Sequence, residues 1–93
     1  MHKVTINGKA VEIHDSFPAG EWHERFLRFD SYKTTGDFEH DTKPYLAFIK
    51  AWEFDGDPAD VDSWRALDYF REYVPIINAV GELINEVTST FPN

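Results

Sequence analysis

Apolar residues recur along this chain with two different periods. Between Lys3 and Ile13 they alternate, Val4 and Ile6 before Asn7-Gly8 and Val11 and Ile13 after it. A period of two puts alternate side chains on one face of a strand, and Asn-Gly tolerates the positive φ of a type I′ turn, so residues 1–14 are predicted as a β-hairpin. Val4, Ile6, Val11 and Ile13 share its inward face, which must pack on something because a lone hairpin is marginal in water. Its free edges offer places for strand addition. From Pro18 the period becomes helical: Trp22, Phe26 and Phe29 lie at i, i+4 and i+7 with Leu27 beside them. With Pro18 in a first turn and Asp15 or Ser16 as cap, an amphipathic helix is predicted over 18–29. Residues 30–42 follow neither period and contain Gly36, so they read as a loop held down by Tyr32 and Phe38.

The next stretch predicts a pair of helices. Tyr45, Phe48, Ile49 and Trp52 fall at i, i+3, i+4 and i+7, giving a helix over 44–53 that starts at Pro44 with Asp41 or Thr42 as cap. Asp55-Gly56-Asp57-Pro58 then stops it, because Gly supplies a left-handed position and Pro blocks continuation. Asp60 or Asp62 caps a helix over 60–74, whose stripe runs Trp64, Leu67, Phe70 or Arg71, and Val74. The two arms form a central αα-hairpin with an acidic turn. Pro75 ends or kinks the second arm. A last helix over 75–88 carries Ile76 or Ile77, Val80, Leu83 or Ile84, and Val87, before a frayed end at STFPN. The expected fold is a small α+β domain spanning 1–93, mainly α with an N-terminal β-hairpin followed by three to four amphipathic helices.

Composition adds a surplus of rings. The 93 residues include eight Phe, four Tyr and three Trp. Each buried ring removes roughly 150–250 Å² from water, more in total than so short a chain is expected to hide, so some rings belong on a contact surface. Nine Lys and Arg against seventeen Asp and Glu give a formal net charge of −8, which argues against nucleic acid and anionic membranes as partners. No apolar run approaches the ~20 residues of a spanning helix, and the opening MHKVTING lacks the apolar core of a secretory leader. The absence of cysteine removes disulfides and thiolate chemistry and makes a cytoplasmic location the default expectation.

Candidate chemistry is thin. Asp55, Asp57, Asp60 and Asp62 invite a calcium reading, but an EF-hand register puts Ala59 at the fifth position, Asp60 where Gly belongs and Ala66 where the bidentate Glu belongs. The plainer reading is a turn and a helix cap. His2, His14, His23 and His40 are scattered, with no second His one turn from His23-Glu24 to hold zinc. Ser16, Ser31, Ser63 and Ser89 lie outside any nucleophile elbow. Glu82 and Glu86 are an ordinary solvated helix pair. No catalytic residue, metal ligand or cofactor site is expected, and the chain is not expected to be an enzyme. Trp22, Trp52, Trp64, Phe48 and Phe70 follow helical spacing and are assigned to the core; Phe17, Phe38, Phe54, Tyr69, Tyr73 and Phe91 do not, and are assigned to a partner surface.

The opening TINGKAVEI hairpin, a helical middle ending in Ile49-Lys50-Ala51-Trp52-Glu53-Phe54 before the Asp55-Gly56-Asp57-Pro58 turn, and the closing IINAVGELINEV helix together resemble the tail assembly chaperones of long-tailed bacteriophages and prophages. That resemblance implies a non-enzymatic factor in the host cytoplasm that self-associates, coats the helical tape-measure protein and hands it to the tail-tube protein. An acidic chain with spare rings suits such a role: the rings grip amphipathic client helices and the charge keeps the complex in solution. The alternative is a small acidic inhibitor or DNA mimic presenting Asp55, Asp57, Asp60 and Asp62 to a basic protein.

Overall fold

The computed structural model describes residues 2–30 and 33–89. Its class is the expected one, an N-terminal hairpin followed by helices in a small α+β fold. Strands β1 (His2–Ile6) and β2 (Lys9–Ile13) pair antiparallel with Val4 opposite Val11. Asn7 at φ 49° and Gly8 at φ 79° supply the two left-handed positions that a type I′ turn requires. Ile6, Val11 and Ile13 are buried and Val4 packs against them, so alternation along the hairpin translates directly into one inward face.

The predicted helix over 44–53 is not formed. Helix α2 covers Phe38–Leu46, so part of the predicted loop is helical, and β3 (Ile49–Trp52) joins β2 to complete a sheet in the order β1-β2-β3. With a strand in place of its first arm, the central αα-hairpin is absent. Two local causes set the early start of α2. The Asp37 carboxylate accepts from the His40 N–H at 2.9 Å, which caps the helix, and the Asp41 carboxylate accepts from the Thr35 and Gly36 N–H groups at 2.8 and 2.9 Å. Pro44 therefore sits in the last turn of α2 instead of the first of a new helix. Ile49-Lys50-Ala51-Trp52 fits a period of two as well as it fits a helical stripe, and a run this short is not separated by periodicity. The open edge of β2 decides the matter, because a third strand satisfies backbone groups that a helix would leave to solvent. Pairing runs Val11 to Trp52, Glu12 to Ala51 and Ile13 to Ile49, which leaves Lys50 as an exposed bulge. Glu53 extends the ladder twice: its N–H donates to the Ala10 carbonyl at 3.0 Å, and its carboxylate accepts from the Ala10 N–H.

Helix α1 (Ala19–Asp30) matches its expected span, its first bonds running from the Glu21 and Trp22 N–H groups to the Pro18 carbonyl at 3.0 Å. The predicted helix over 60–74 is divided. Helix α3 (Val61–Arg65) is short, a π-helical turn covers Tyr69–Tyr73, and α4 (Val74–Thr88) runs on from it. Asp68 restarts the chain between them: its carboxylate accepts from the Arg71 N–H and its own N–H donates to Glu72 Oε1, both at 2.8 Å, a reciprocal cap. The Tyr73 N–H then reaches back to the Asp68 carbonyl and the Val74 N–H to that of Tyr69, each five residues away. Pro75, with no N–H to give, falls in the first turn of α4 where the bonding changes. Along α4 the stripe resolves to Ile76, Val80 and Leu83 as its buried members. These three join Ile6, Val11, Ile13, Trp22, Phe48, Ile49, Phe54 and Trp64 in one buried cluster, each side chain contributing about 1.5–3 kcal/mol by leaving water. Of the predicted frayed end, Ser89 closes α4, its N–H donating to the Asn85 carbonyl at 2.9 Å, while Tyr32, Phe91 and the other residues from 90 on lie outside the described residues.

Candidate functional site

The acidic turn after β3 is fastened from two sides by indoles. Trp52 Nε1–H donates to the Gly56 carbonyl and Trp64 Nε1–H to the Pro58 carbonyl, both at 2.9 Å. Its carboxylates serve the same local order. Asp57 accepts from the Ala59 N–H at 2.9 Å, Asp60 accepts from the Asp62 N–H at 3.1 Å as the cap of α3, and Asp62 pairs with Arg65 at 3.2 Å on the surface. Among the described residues no three His, Asp or Glu side chains are placed to share a metal ion.

Rings form a continuous ladder that starts in this turn and ends in solvent. Centroids run from Phe54 to Trp52 at 5.5 Å, to Trp64 at 5.3 Å, to Tyr73 at 6.2 Å, to Tyr69 at 5.3 Å, and from Tyr69 to Phe70 at 5.1 Å. Phe38 joins at Tyr73, 5.2 Å away. Four of the residues assigned to a partner surface, Phe38, Phe54, Tyr69 and Tyr73, thus lie along one path. Phe17 does not: it sits in a separate group with Trp22, Phe26 and Phe48 between β2 and α1. Phe91 lies outside the described residues.

Exposure corrects two assignments. Phe54 is 7% exposed and belongs to the core, held there beneath the Lys9 ammonium 5.1 Å from its ring centre. Phe70, read as core from its spacing to Trp64 and Leu67, is 80% exposed and Tyr69 beside it 56%. The reason is the break at Asp68: once the turn restarts with five-residue bonds, the phase counted from Trp64 no longer applies. The signal for it is present in Asp68-Tyr69-Phe70-Arg71-Glu72, where a cap residue and a glutamate one turn later announce a new start. Tyr73 and Phe38 are half-buried between the two extremes.

Polar contacts hold the base of this projecting pair. Thr42, fully buried in α2, shares a 2.8 Å hydrogen bond with the Tyr73 hydroxyl. Burial pushes the Tyr45 phenol above its ordinary value, with a smaller contribution from Tyr73. Glu72 is held below the usual carboxylate range, first by the Asp68 N–H and then by the Asn7 side-chain amide, which donates to Glu72 Oε2 at 2.8 Å. Asn7 thereby forms the hairpin turn and ties it to the π-helical turn 65 residues later.

A groove of about 500 Å³ opens between α1 and α2. Pro44, Leu46 and Ala47 give it a half-buried apolar lining with Ala59 at one edge, and the exposed groups around it are Arg25, Arg28, Lys43 and His40. It is a basic locality on an acidic protein, moderated by the Arg28–Glu24 ion pair at 3.4 Å and by the acidic turn that carries Ala59. No family model matches the chain, and no curated protein or solved structure matches it either. No helix among the described residues is long and apolar enough to cross a membrane.

Proposed function

We propose that the protein is a non-enzymatic client-binding factor of the phage tail assembly chaperone type. In this reading it works in the host bacterial cytoplasm, keeps the tape-measure protein in solution and passes it to the tail-tube protein. The observation that carries the reading is the outward pair Tyr69 and Phe70, 56% and 80% exposed on an ordered turn whose remaining ring, Tyr73, is half-buried. Two adjacent rings on a rigid base lose little conformational freedom when they dock, and they fit the apolar stripe of an amphipathic helix. The resemblance supplies the class of client; its hairpin, tryptophan-bearing turn and final helix remain, whereas its helical middle is replaced by strand β3. A charge of −8 outside the pair repels further copies of the loaded complex and so opposes precipitation.

The rival reading, an acidic decoy for a basic protein, draws on the exposure of Asp55, Asp57, Asp60 and Asp62. It is the weaker of the two, because Asp57, Asp60 and Asp62 already spend hydrogen bonds on their own turn. Co-expression with a phage tape-measure gene product tests the first reading. Wild-type protein is expected to hold that product in the soluble fraction and co-purify with it, and Phe70→Ser is expected to lose both effects while remaining folded. Absence of rescue by the wild type would overturn the reading.

A further inference from the structure

The groove between α1 and α2 keeps two cations without a counter-ion. Arg28 is not one of them, because Glu24 neutralises it at 3.4 Å. Arg25 on α1 and Lys43 on α2 are both exposed, both line the groove, and meet no carboxylate among the described residues. The Arg25 guanidinium lies 4.9 Å from the centre of the Trp22 ring, and a guanidinium stacked by its face keeps its N–H edge for an acceptor. Beside these charges the lining is apolar, with Pro44, Leu46 and Ala47 half-buried. No acid is among the described residues that line the groove, although the chain has seventeen acids against nine Lys and Arg. The volume of about 500 Å³ is that of a site for a small molecule.

An apolar trough with cations from both walls and no acid in its lining fits a hydrocarbon chain ended by an anion. We propose that the groove binds a free aliphatic carboxylate of medium length, a fatty-acid-type anion, with Arg25 and Lys43 at its head and Pro44, Leu46 and Ala47 along its chain. The planar edge of Arg25 suits the two oxygens of a carboxylate, and Lys43 adds a point charge. Both parts of the ligand are needed. An exposed ion pair raises affinity by at most about fivefold, and each methylene taken fully out of water adds up to about fourfold. Neither Tyr69 nor Phe70 lines the groove, so the site is separate from the outward rings and does not depend on the client reading.

Backbone amide NMR titration of the full chain tests this at about 0.15 M salt, where charges beyond about 8 Å are screened. The probes are octanoate, octylamine and 1-octanol, which carry similar chains under different heads. Octanoate is expected to saturate with a dissociation constant of about 0.1–1 mM and to shift the amides of residues 25–28 and 43–47. 1-Octanol is expected to bind about threefold to fivefold more weakly, and octylamine more weakly still. Hexanoate, shorter by two methylenes, loses up to about fifteenfold. Lys43→Gln is expected to weaken octanoate about threefold to fivefold and Lys43→Arg to retain it, while Phe70→Ser binds as the wild type does. Octylamine bound as tightly as octanoate, shifts centred on Tyr69 and Phe70, or shifts that never saturate would each overturn the proposal. The comparison of heads needs no variant, so a substitution that unfolds the chain leaves the test intact. Octanoate binding without client rescue would sink the client reading alone, and client rescue without octanoate binding would sink this site alone.

Discussion

Two reversals of the chain, residues 53–60 and 68–73, are built from the same ingredients and end in opposite states. Both are rich in acids, both begin with an aspartate or glutamate bonded to backbone, and both touch the same ladder of rings. In the first the indoles of Trp52 and Trp64 turn inward and donate to the carbonyls of Gly56 and Pro58, and Phe54 is sealed beneath. In the second the cap by Asp68 and Glu72 fixes the start of the backbone, only Tyr73 at its end is drawn inward onto Thr42 and Trp64, and Tyr69 and Phe70 are left outside. A turn ordered by its side-chain rings cannot expose them; a turn ordered by carboxylate caps can. That difference separates the structural aromatics of this protein from those free to meet a partner.

The comparison breaks most severely at Trp64. Trp64→Ala removes a ring that is 1% exposed together with its bond to the Pro58 carbonyl, and is expected to cost about 3–5 kcal/mol. Domains of this kind hold about 5–15 kcal/mol in all, so thermal melting should show a transition that is strongly lowered or lost. Gly56 comes next. It sits at φ 84°, and a Cβ there would collide with Ser63 Oγ and lie 2.8 Å from Ser63 Cβ. Gly56→Ala is expected to cost about 1–3 kcal/mol in urea unfolding. Adding Ser63→Gly should recover the steric part and leave the φ penalty, which sharpens the assignment of each cause.

The smallest effect lies in the second reversal and is read through pH. Glu72 has a folded pKa below its unfolded value of about 4.5, so the stability it contributes is present above that value and lost as pH falls through the folded one. The melting temperature of the wild type should therefore decline as pH is lowered from about 5 towards 3, and Glu72→Gln should decline less over the same interval. Equal slopes would mean that the bonds from Asp68 and Asn7 do not discriminate between the charged and neutral carboxyl.

Legibility in the sequence followed the range of the interactions. The hairpin was written locally, in Asn7-Gly8 and the alternation around it, and so was α4, where a stripe of fifteen residues leaves little choice of period. Strand β3 was not, because Ile49–Trp52 takes its conformation from the edge of β2, which lies far away in the chain. The surplus of rings was a sound guide to the existence of outward aromatics and a poor guide to which ones. Phe54 and Phe70 exchanged places, since a ring's burial depends on the turn that carries it. The groove between α1 and α2 is not legible in the sequence, because residues 38–42 show no helical period and one wall of the groove depends on the helix they form.

Urea unfolding of Phe54→Ser and Phe70→Ser side by side probes the segregation of rings on which the account rests. Phe54→Ser is expected to lose about 3–5 kcal/mol and Phe70→Ser to stay within about 0.5 kcal/mol of the wild type. Comparable losses for the two variants, or a harmless Phe54→Ser, would contradict the division into a sheltered turn and an outward one.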